Sequence, residues 1–132
     1  MSSLTQHDAE ELIKKAQGKA DQLNIKVSVY VVDGSGIPIA FSRMDGAGMQ
    51  TPDISRAKAF SAVLFKRNTK DFFLELKDNV LAATSLMKAA GERAIILPGR
   101  VLVVRDGEVV GGIGVSGGSG FQDHDCAIEA TQ

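Results

Sequence analysis

Five polar residues in the first half of the chain have side chains that could act together in chemistry: Asp33, Arg43, Asp45, Thr51 and Lys58. A lysine whose pKa is lowered by burial can exchange protons with a carbonyl or carboxylate compound, and an aspartate can take the opposite role. An arginine can hold an anionic group through paired hydrogen bonds. We therefore consider Lys58 and Asp33 as catalytic candidates, and the other three residues as candidates for ligand binding.

Each of these residues also has a local structural explanation. Asp33 begins the turn DGSG, and its carboxylate can satisfy the N–H groups of that turn. Asp45 can pair with Arg43 on the surface, Thr51 can cap a helix, and Lys58 can extend its ammonium group to solvent. The sequence leaves both explanations open.

A second group of candidates lies in the glycine-rich stretch VLVVRDGEVVGGIGVSGGSG, residues 101–120. Ser116, Gly117 and Gly118 follow an apolar run, and glycines leave backbone N–H groups uncovered for a ligand. We expect these three residues to bind a ligand.

Two catalytic motifs occur in the same stretch without the context that they require. The letters GIGVSG match a dinucleotide-binding fingerprint, but that motif needs a following strand with an acidic residue, and too little chain remains. The letters GVSGG match a hydrolase nucleophile elbow, which needs a parallel sheet and an acid and a histidine on separate loops. Ser116 is therefore predicted to end a strand rather than to act as a nucleophile.

No metal site is predicted. His124, Asp125 and Cys126 are consecutive, so on a helix they do not face one another. No second cluster of histidine or cysteine supplies the four ligands typical of zinc. Cys126 is expected to be a small buried apolar residue.

Length and charge exclude several classes of function. The 132 residues suit a single domain spanning 1–132, and 15 basic against 16 acidic residues favour neither a nucleic acid nor a membrane partner. The start of the chain, MSSLTQHDAEELIKKAQ, lacks the apolar core of a signal peptide. One cysteine excludes an internal disulfide, so the sequence predicts a soluble, cytoplasmic protein.

Hydrophobic periodicity predicts the elements that must position these residues. Thr5 is expected to cap a first helix, and VSVYVV and IPIAFSR are expected to form a hairpin around DGSG. The segment Thr51-Pro52-Asp53 predicts the start of a helix that runs to about Phe65, with Thr51 as its N-cap.

The second half of the chain is predicted to add two helices, three strands and a closing helix. The helical regions are expected at Thr69–Leu76 and Val80–Ala90, and the intervening KDN leaves open whether they are one helix or two. RAIIL is expected to be a short strand. A two-residue turn at Asp106-Gly107 should join the last two strands. Short connections mean antiparallel pairing, so we expect an α+β domain with a five-stranded sheet and helices on both faces.

Four segments carry a family resemblance when they are taken together: VSVYVVDGSGIPIAFSRMDGA, TPDISRAKAF, LPG and DGEVVGGIGVSGGSGFQD. They resemble the GlcG/HbpS-type haem-binding, or haem-degrading, family, which is related to the C-terminal domain of PduO-type cobalamin adenosyltransferases. The resemblance extends from about Leu4 to Ile128. It implies a profilin-like fold with an antiparallel sheet in the order 2-1-5-4-3, homo-oligomers, and haem or corrinoid binding in several relatives.

The chain departs from that family at two places. Thr51 matches the threonine that begins the lysine-bearing helix of the haem-binding branch, but the histidine before it is Gln50 here. Imidazole is a much commoner iron ligand than an amide. The LPGG of many relatives is followed only in part, because Arg100 replaces the second glycine.

Three hypotheses follow. The first is a small-ligand-binding protein, with haem or a related tetrapyrrole as the candidate ligand, whose pocket lies between the start of the Thr51 helix and the loop from Ser116 to Gly120. The alternative is a small-molecule enzyme of the lyase or isomerase type, in which Lys58 and Asp33 carry protons and Arg43 anchors the anion. The third is an assembly protein whose oligomer interface is its function.

Overall fold

The computed structural model describes residues 3–66, 69–91 and 93–132. The α+β class is confirmed, and the three middle helices follow the prediction to within one residue. In chain order the elements are α1 (Gln6–Gln22), β1 (Ser28–Asp33), β2 (Pro38–Arg43), α2 (Thr51–Phe65), α3 (Thr69–Leu76), α4 (Val80–Ala89), β3 (Arg100–Arg105), β4 (Glu108–Ser116) and α5 (Gly120–Thr131).

The four strands form one antiparallel sheet in the order β2-β1-β4-β3. Its centre is the pairing of β1 with β4, in which Ser28 lies opposite Ser116. The predicted turn between β3 and β4 is confirmed, since Asp106 and Gly107 have φ angles of 52° and 79°. Positive φ at both positions is what a two-residue hairpin of this kind requires.

The predicted fifth strand is wrong. Residues 93–97, the RAIIL segment, form no strand and cross the end of α2 instead. The N–H of Ile95 donates to Ser61 Oγ at 2.8 Å, and its carbonyl accepts from Arg100 Nη1. Side chains therefore satisfy backbone groups that a neighbouring strand would otherwise have paired. The observed order is the expected 2-1-5-4-3 without its edge strand.

Helices cover both faces of the sheet, as the apolar central strands predict. Alternate residues of β1 and β4, among them Val29, Val31 and Ile113, are fully buried against α1 and α5. Cys126 of α5 is buried in the same core, which confirms its apolar role. Burial raises the pKa of its thiol to about 12, so it stays protonated at neutral pH.

Helix α2 lies on the other face and approaches β4 closely because the strand presents glycines to it. A Cβ on Gly114 would overlap the Ser55 carbonyl oxygen and lie 2.6 Å from the Ala59 nitrogen. A Cβ on Gly112 would lie 2.7 Å from the Ala59 oxygen. The backbones of α2 and β4 are thus in direct contact, which places Lys58 over the end of β4.

The predicted N-cap of α1 is confirmed, and that of α2 is wrong by one residue. Thr5 and Asp8 form a reciprocal capping box, with N–H···O distances of 3.0 and 3.1 Å. In α2 the N-cap is Gln50, and Thr51 is the first helical residue. The Thr51 hydroxyl donates to the Gly48 carbonyl at 2.7 Å and lies 2.8 Å from Ser28 Oγ, so it fastens α2 to the preceding loop and to β1.

Within the part of the chain that the structure describes, no helix combines the length and the apolar character that crossing a bilayer requires.

Candidate functional site

A pocket of about 250 Å³ lies between the start of α2 and the loop that joins β4 to α5. We call it the Lys58 pocket. Helix α2 contributes one wall, the loop and α5 contribute the opposite wall, and one apolar side chain comes from the segment before β3. Its lining residues are Gln50, Ile54, Lys58, Leu97, Ser116, Gly117, Gly118, Gly120 and Asp123.

The α2 wall is formed by residues spaced four apart, Gln50, Ile54 and Lys58, which share one face of a helix. Gln50 is exposed and, as the N-cap, makes no side-chain hydrogen bond to the first turn. The N-terminus of a helix carries partial positive charge. The N–H of Thr51 donates to the Gly48 carbonyl at 3.1 Å and Pro52 has no N–H, so α2 offers the pocket the charge of its dipole rather than free donors from these two residues. The mouth of the pocket therefore suits an anionic group.

The opposite wall is a glycine loop held in one conformation by α5. Gly117 has a φ of 152°, and a Cβ there would overlap the Lys26 carbonyl oxygen. The N–H of Gly118 donates to Asp123 Oδ1 at 2.8 Å, and Ser119 caps α5 in a capping box with Gln122. These bonds fix the loop, so its glycines present a rigid backbone surface to the pocket.

A buried ion pair joins the two walls. Lys58 Nζ lies 3.0 Å from Asp123 Oδ2, and the two side chains are 3% and 4% exposed. Lys58 also donates to the Val115 carbonyl at 2.8 Å. An ammonium group has three N–H donors. Within the described chain these two acceptors leave one donor of Lys58 uncommitted beside the pocket.

Desolvation dominates the titration of this pair. Burial lowers the pKa of the Lys58 ammonium below its usual value, although the Asp123 charge opposes that shift. Burial likewise raises the pKa of the Asp123 carboxyl against the attraction of Lys58. Each group therefore depends on its partner to remain charged.

The structure brings together the predicted residues Lys58, Ser116, Gly117 and Gly118, all of which line the pocket. Thr51 lies just behind the wall, where its buried hydroxyl bonds to β1 and the loop before α2. A pocket is thus present between the start of this helix and the glycine loop, and ligand binding there stays a prediction.

Three predicted residues lie elsewhere. Asp33 ends β1 at the strand's far end from Ser28, and its carboxylate accepts from the N–H groups of Ser35 and Ile37 at 2.8 and 3.0 Å. Arg43 is exposed and donates to the Ala47 carbonyl at 3.0 Å, and Asp45 is exposed in the same loop. Because Asp33 does not line the Lys58 pocket, the structure gives no support to an enzyme in which these two residues exchange protons.

Sequence reasoning missed Asp123 as a site residue. It lies 65 positions after Lys58, and no local pattern connects the two. Asp123 could be predicted from the chemistry of Lys58 rather than from a sequence pattern. A lysine on the sheet-facing stripe of α2 needs a counter-charge, and Asp123 is the first carboxylate after the glycine loop.

Comparison with known proteins identifies relatives along almost the whole chain. The profile of the family described as "Haem degrading protein HbpS-like" matches residues 4–132. Protein GlcG of Escherichia coli is 37% identical over 113 residues, which cover 86% of this chain and 81% of GlcG. The corrinoid adenosyltransferase PduO of Salmonella typhimurium is 33% identical over 131 residues, which cover 97% of this chain but 38% of PduO.

Solved structures agree with these sequence relationships. The crystal structure of a PduOC–haem complex superposes with a TM-score of 0.86 at 32% identity, covering 98% of this chain and 94% of that one. Almost the whole length is therefore shared with a protein whose structure was determined with haem.

Proposed function

This chain belongs to the HbpS-like family, and on that premise we propose that it binds a small carboxylate-bearing ligand, haem or a related tetrapyrrole, in the Lys58 pocket. One observation carries the proposal: the start of α2, a rigid glycine loop and a buried lysine with an uncommitted donor line the same pocket. The haem complex of the PduOC relative supports the ligand class.

The pocket fits one part of haem and not another. The remaining donor of Lys58 and the dipole of α2 suit a propionate carboxylate, while the N–H of Gly118 is already bonded to Asp123. The iron centre would need an imidazole, thiolate, thioether or phenolate ligand, and the described residues that line the pocket include none of these side chains. When bound, haem would supply redox-active iron, and the residues of this pocket would hold and orient the carboxylate edge.

The size of the pocket also favours binding of the carboxylate edge of haem and not of the whole macrocycle. Pockets that enclose a small ligand are usually about 300–1,000 Å³, so a volume of about 250 Å³ accepts the edge of a macrocycle rather than the whole of it. The apolar side chains of Ile54 and Leu97 would lie against the part of the ring that enters.

We expect haemin and metal-free protoporphyrin to bind with affinities that differ by less than about tenfold, because the pocket recognises the carboxylate edge and not the iron. Absorbance titration of the purified protein with each compound measures this difference. If neither compound binds saturably, the proposal is wrong. If haemin binds more than a hundredfold more tightly, a protein ligand to the iron dominates and the edge-binding geometry is wrong.

Two substitutions at Gln50 provide matched variants, because its side chain is exposed and bonds to nothing in the first turn. Gln50→His should tighten haemin binding by about tenfold or more and leave protoporphyrin unchanged, since it adds an iron ligand. Gln50→Glu should weaken both compounds roughly fivefold, because two negative charges about 4 Å apart repel by ~1 kcal/mol in water. If neither Gln50→Glu nor Gln50→His changes the binding of either compound, the ligand binds away from this pocket.

A further inference from the structure

A second, larger pocket lies on the other side of α2. It encloses about 420 Å³, against about 250 Å³ for the Lys58 pocket, and the two pockets share no lining residue. We call it the arginine pocket. Its walls are one face of α2, the turn between β1 and β2, and the segment that follows α4.

Helix periodicity explains why α2 serves two separate pockets. Asp53, Arg56, Ala57 and Phe60 follow the spacing of three and four residues that defines one helix face. The residues of the Lys58 pocket, which begin at Gln50, occupy the face beside it. Ligands in the two pockets would therefore make independent contacts.

Two arginines give the pocket its charge. Arg56 and Arg93 are both exposed, and neither has an ion-pair partner among residues 3–66, 69–91 and 93–132. The guanidinium of Arg93 lies over the Phe60 ring, 4.6 Å from its centroid. Stacking holds the plane of a guanidinium in place while its N–H edge stays free to donate.

The rest of the lining determines which anion would fit. Among the described residues that line this pocket, Asp53 is the one carboxylate, so the three charged side chains carry one net positive charge, which matches a monoanion better than a phosphate. Ala57 and the Phe60 ring supply apolar surface beside the charges. Gly36 has a φ of 80°, and a Cβ there would lie 3.0 Å from Phe60 Cδ1, so glycine keeps this side of the ring uncrowded.

We propose that the arginine pocket binds a small organic monocarboxylate, whose carboxylate pairs with Arg56 and Arg93 and whose apolar part packs on Phe60 and Ala57. This site goes beyond the proposed tetrapyrrole binding, because it uses other residues and a ligand of a different size. A planar carboxylate accepting from guanidinium edges gives short, directional hydrogen bonds.

Benzoate is a suitable probe, since it joins one carboxylate to one apolar ring. Titration of the ¹⁵N-labelled full chain should shift the Gly36 amide resonance saturably, and inorganic phosphate at equal ionic strength should bind much more weakly. Arg56→Gln and Arg93→Gln should each weaken benzoate binding about tenfold or more, because each removes a charged hydrogen-bond donor. Lys88→Gln, which removes a positive charge from exposed α4, should leave binding unchanged.

Three results would overturn the proposal: no saturable benzoate shift, phosphate binding as tight as benzoate, or benzoate binding unaffected by both arginine variants. Both arginines are exposed, so the variants should keep the dispersed spectrum of the parent protein. Haemin titration tests the proposed tetrapyrrole binding in the Lys58 pocket. Benzoate titration tests the arginine pocket, so either proposal can fail without the other.

Discussion

Replacing Lys58 with methionine should lower the free energy of unfolding by about 3–5 kcal/mol, since breaking a buried pair leaves an uncompensated charge. Methionine keeps much of the lysine stem but removes the ammonium group. Asp123, 3% exposed, would then have no cation within the pocket, and the Val115 carbonyl would lose its donor. Urea unfolding followed by circular dichroism measures the difference.

A double-mutant cycle separates the charge from other effects of the substitution. Asp123→Leu alone should be similarly destabilising, because it leaves Lys58 charged in a buried site. Lys58→Met with Asp123→Leu should recover the part of the loss that comes from the unpaired charge, while the bond from the Gly118 N–H to Asp123 stays lost. Simple additivity of the two single changes would contradict the importance of the pair.

The loss in Lys58→Met should also depend on pH. Burial raises the pKa of Asp123, and removing its cation raises that pKa further. The folded variant then binds a proton at a higher pH than the unfolded chain does. Its stability therefore increases as the pH falls through the folded-state pKa, and the deficit against the parent protein should be smaller near pH 4 than at pH 7.

Gly114→Ala should cost at least about 3 kcal/mol, at the upper end of the range for overpacking. The new Cβ would overlap the Ser55 carbonyl oxygen and lie 2.6 Å from the Ala59 nitrogen, and both are backbone atoms that no rotamer change can move. Helix α2 would have to lift from β4, and it carries Lys58 and Gln50. Thermal or urea unfolding measures the loss.

Gly18→Ala is the matched control, since it makes the same chemical change inside α1. A Cβ on Gly18 would meet no heavy atom within 4 Å beyond its chain neighbours and the backbone of α1, so the substitution should stabilise the protein by about 0.5–1 kcal/mol through helix propensity. A Gly114→Ala protein within 1 kcal/mol of the parent would show that α2 can move away from the strand at little cost.

Much of the fold is predictable from the sequence because its signals are local. Asp106 and Gly107 accept positive φ, and Thr5 with Asp8 forms a cap within one turn of helix. Each signal needs only the residues beside it. The prediction of a strand at the RAIIL segment is wrong because the segment's backbone bonds to Ser61 and Arg100, whose positions depend on how α2 and β3 pack.

The candidate site likewise has parts that local sequence predicts and parts that depend on tertiary packing. The helix start at Thr51 and the glycine loop after Ser116 are local features, and the pocket lies between them as expected. Asp33 and Arg43 have side chains suited to proton transfer and anion binding, but their polar groups bond to nearby backbone, as turn chemistry also allows. Asp123 requires the contact between α2 and α5, which no local pattern contains.

The pairing of Ser28 with Ser116 also has a consequence for how the chain folds. The two hairpins form between neighbours in sequence, whereas β1 and β4 meet only when nearly the whole chain between them closes into a loop. The entropy of that closure is lost before the contacts compensate for it, which makes such pairings slow. Because Thr51 bonds to Ser28 and Ser116 lines the Lys58 pocket, we expect the pocket to form only after β1 and β4 have paired. Partly folded chains that contain both hairpins would hold every residue of the pocket without yet forming it.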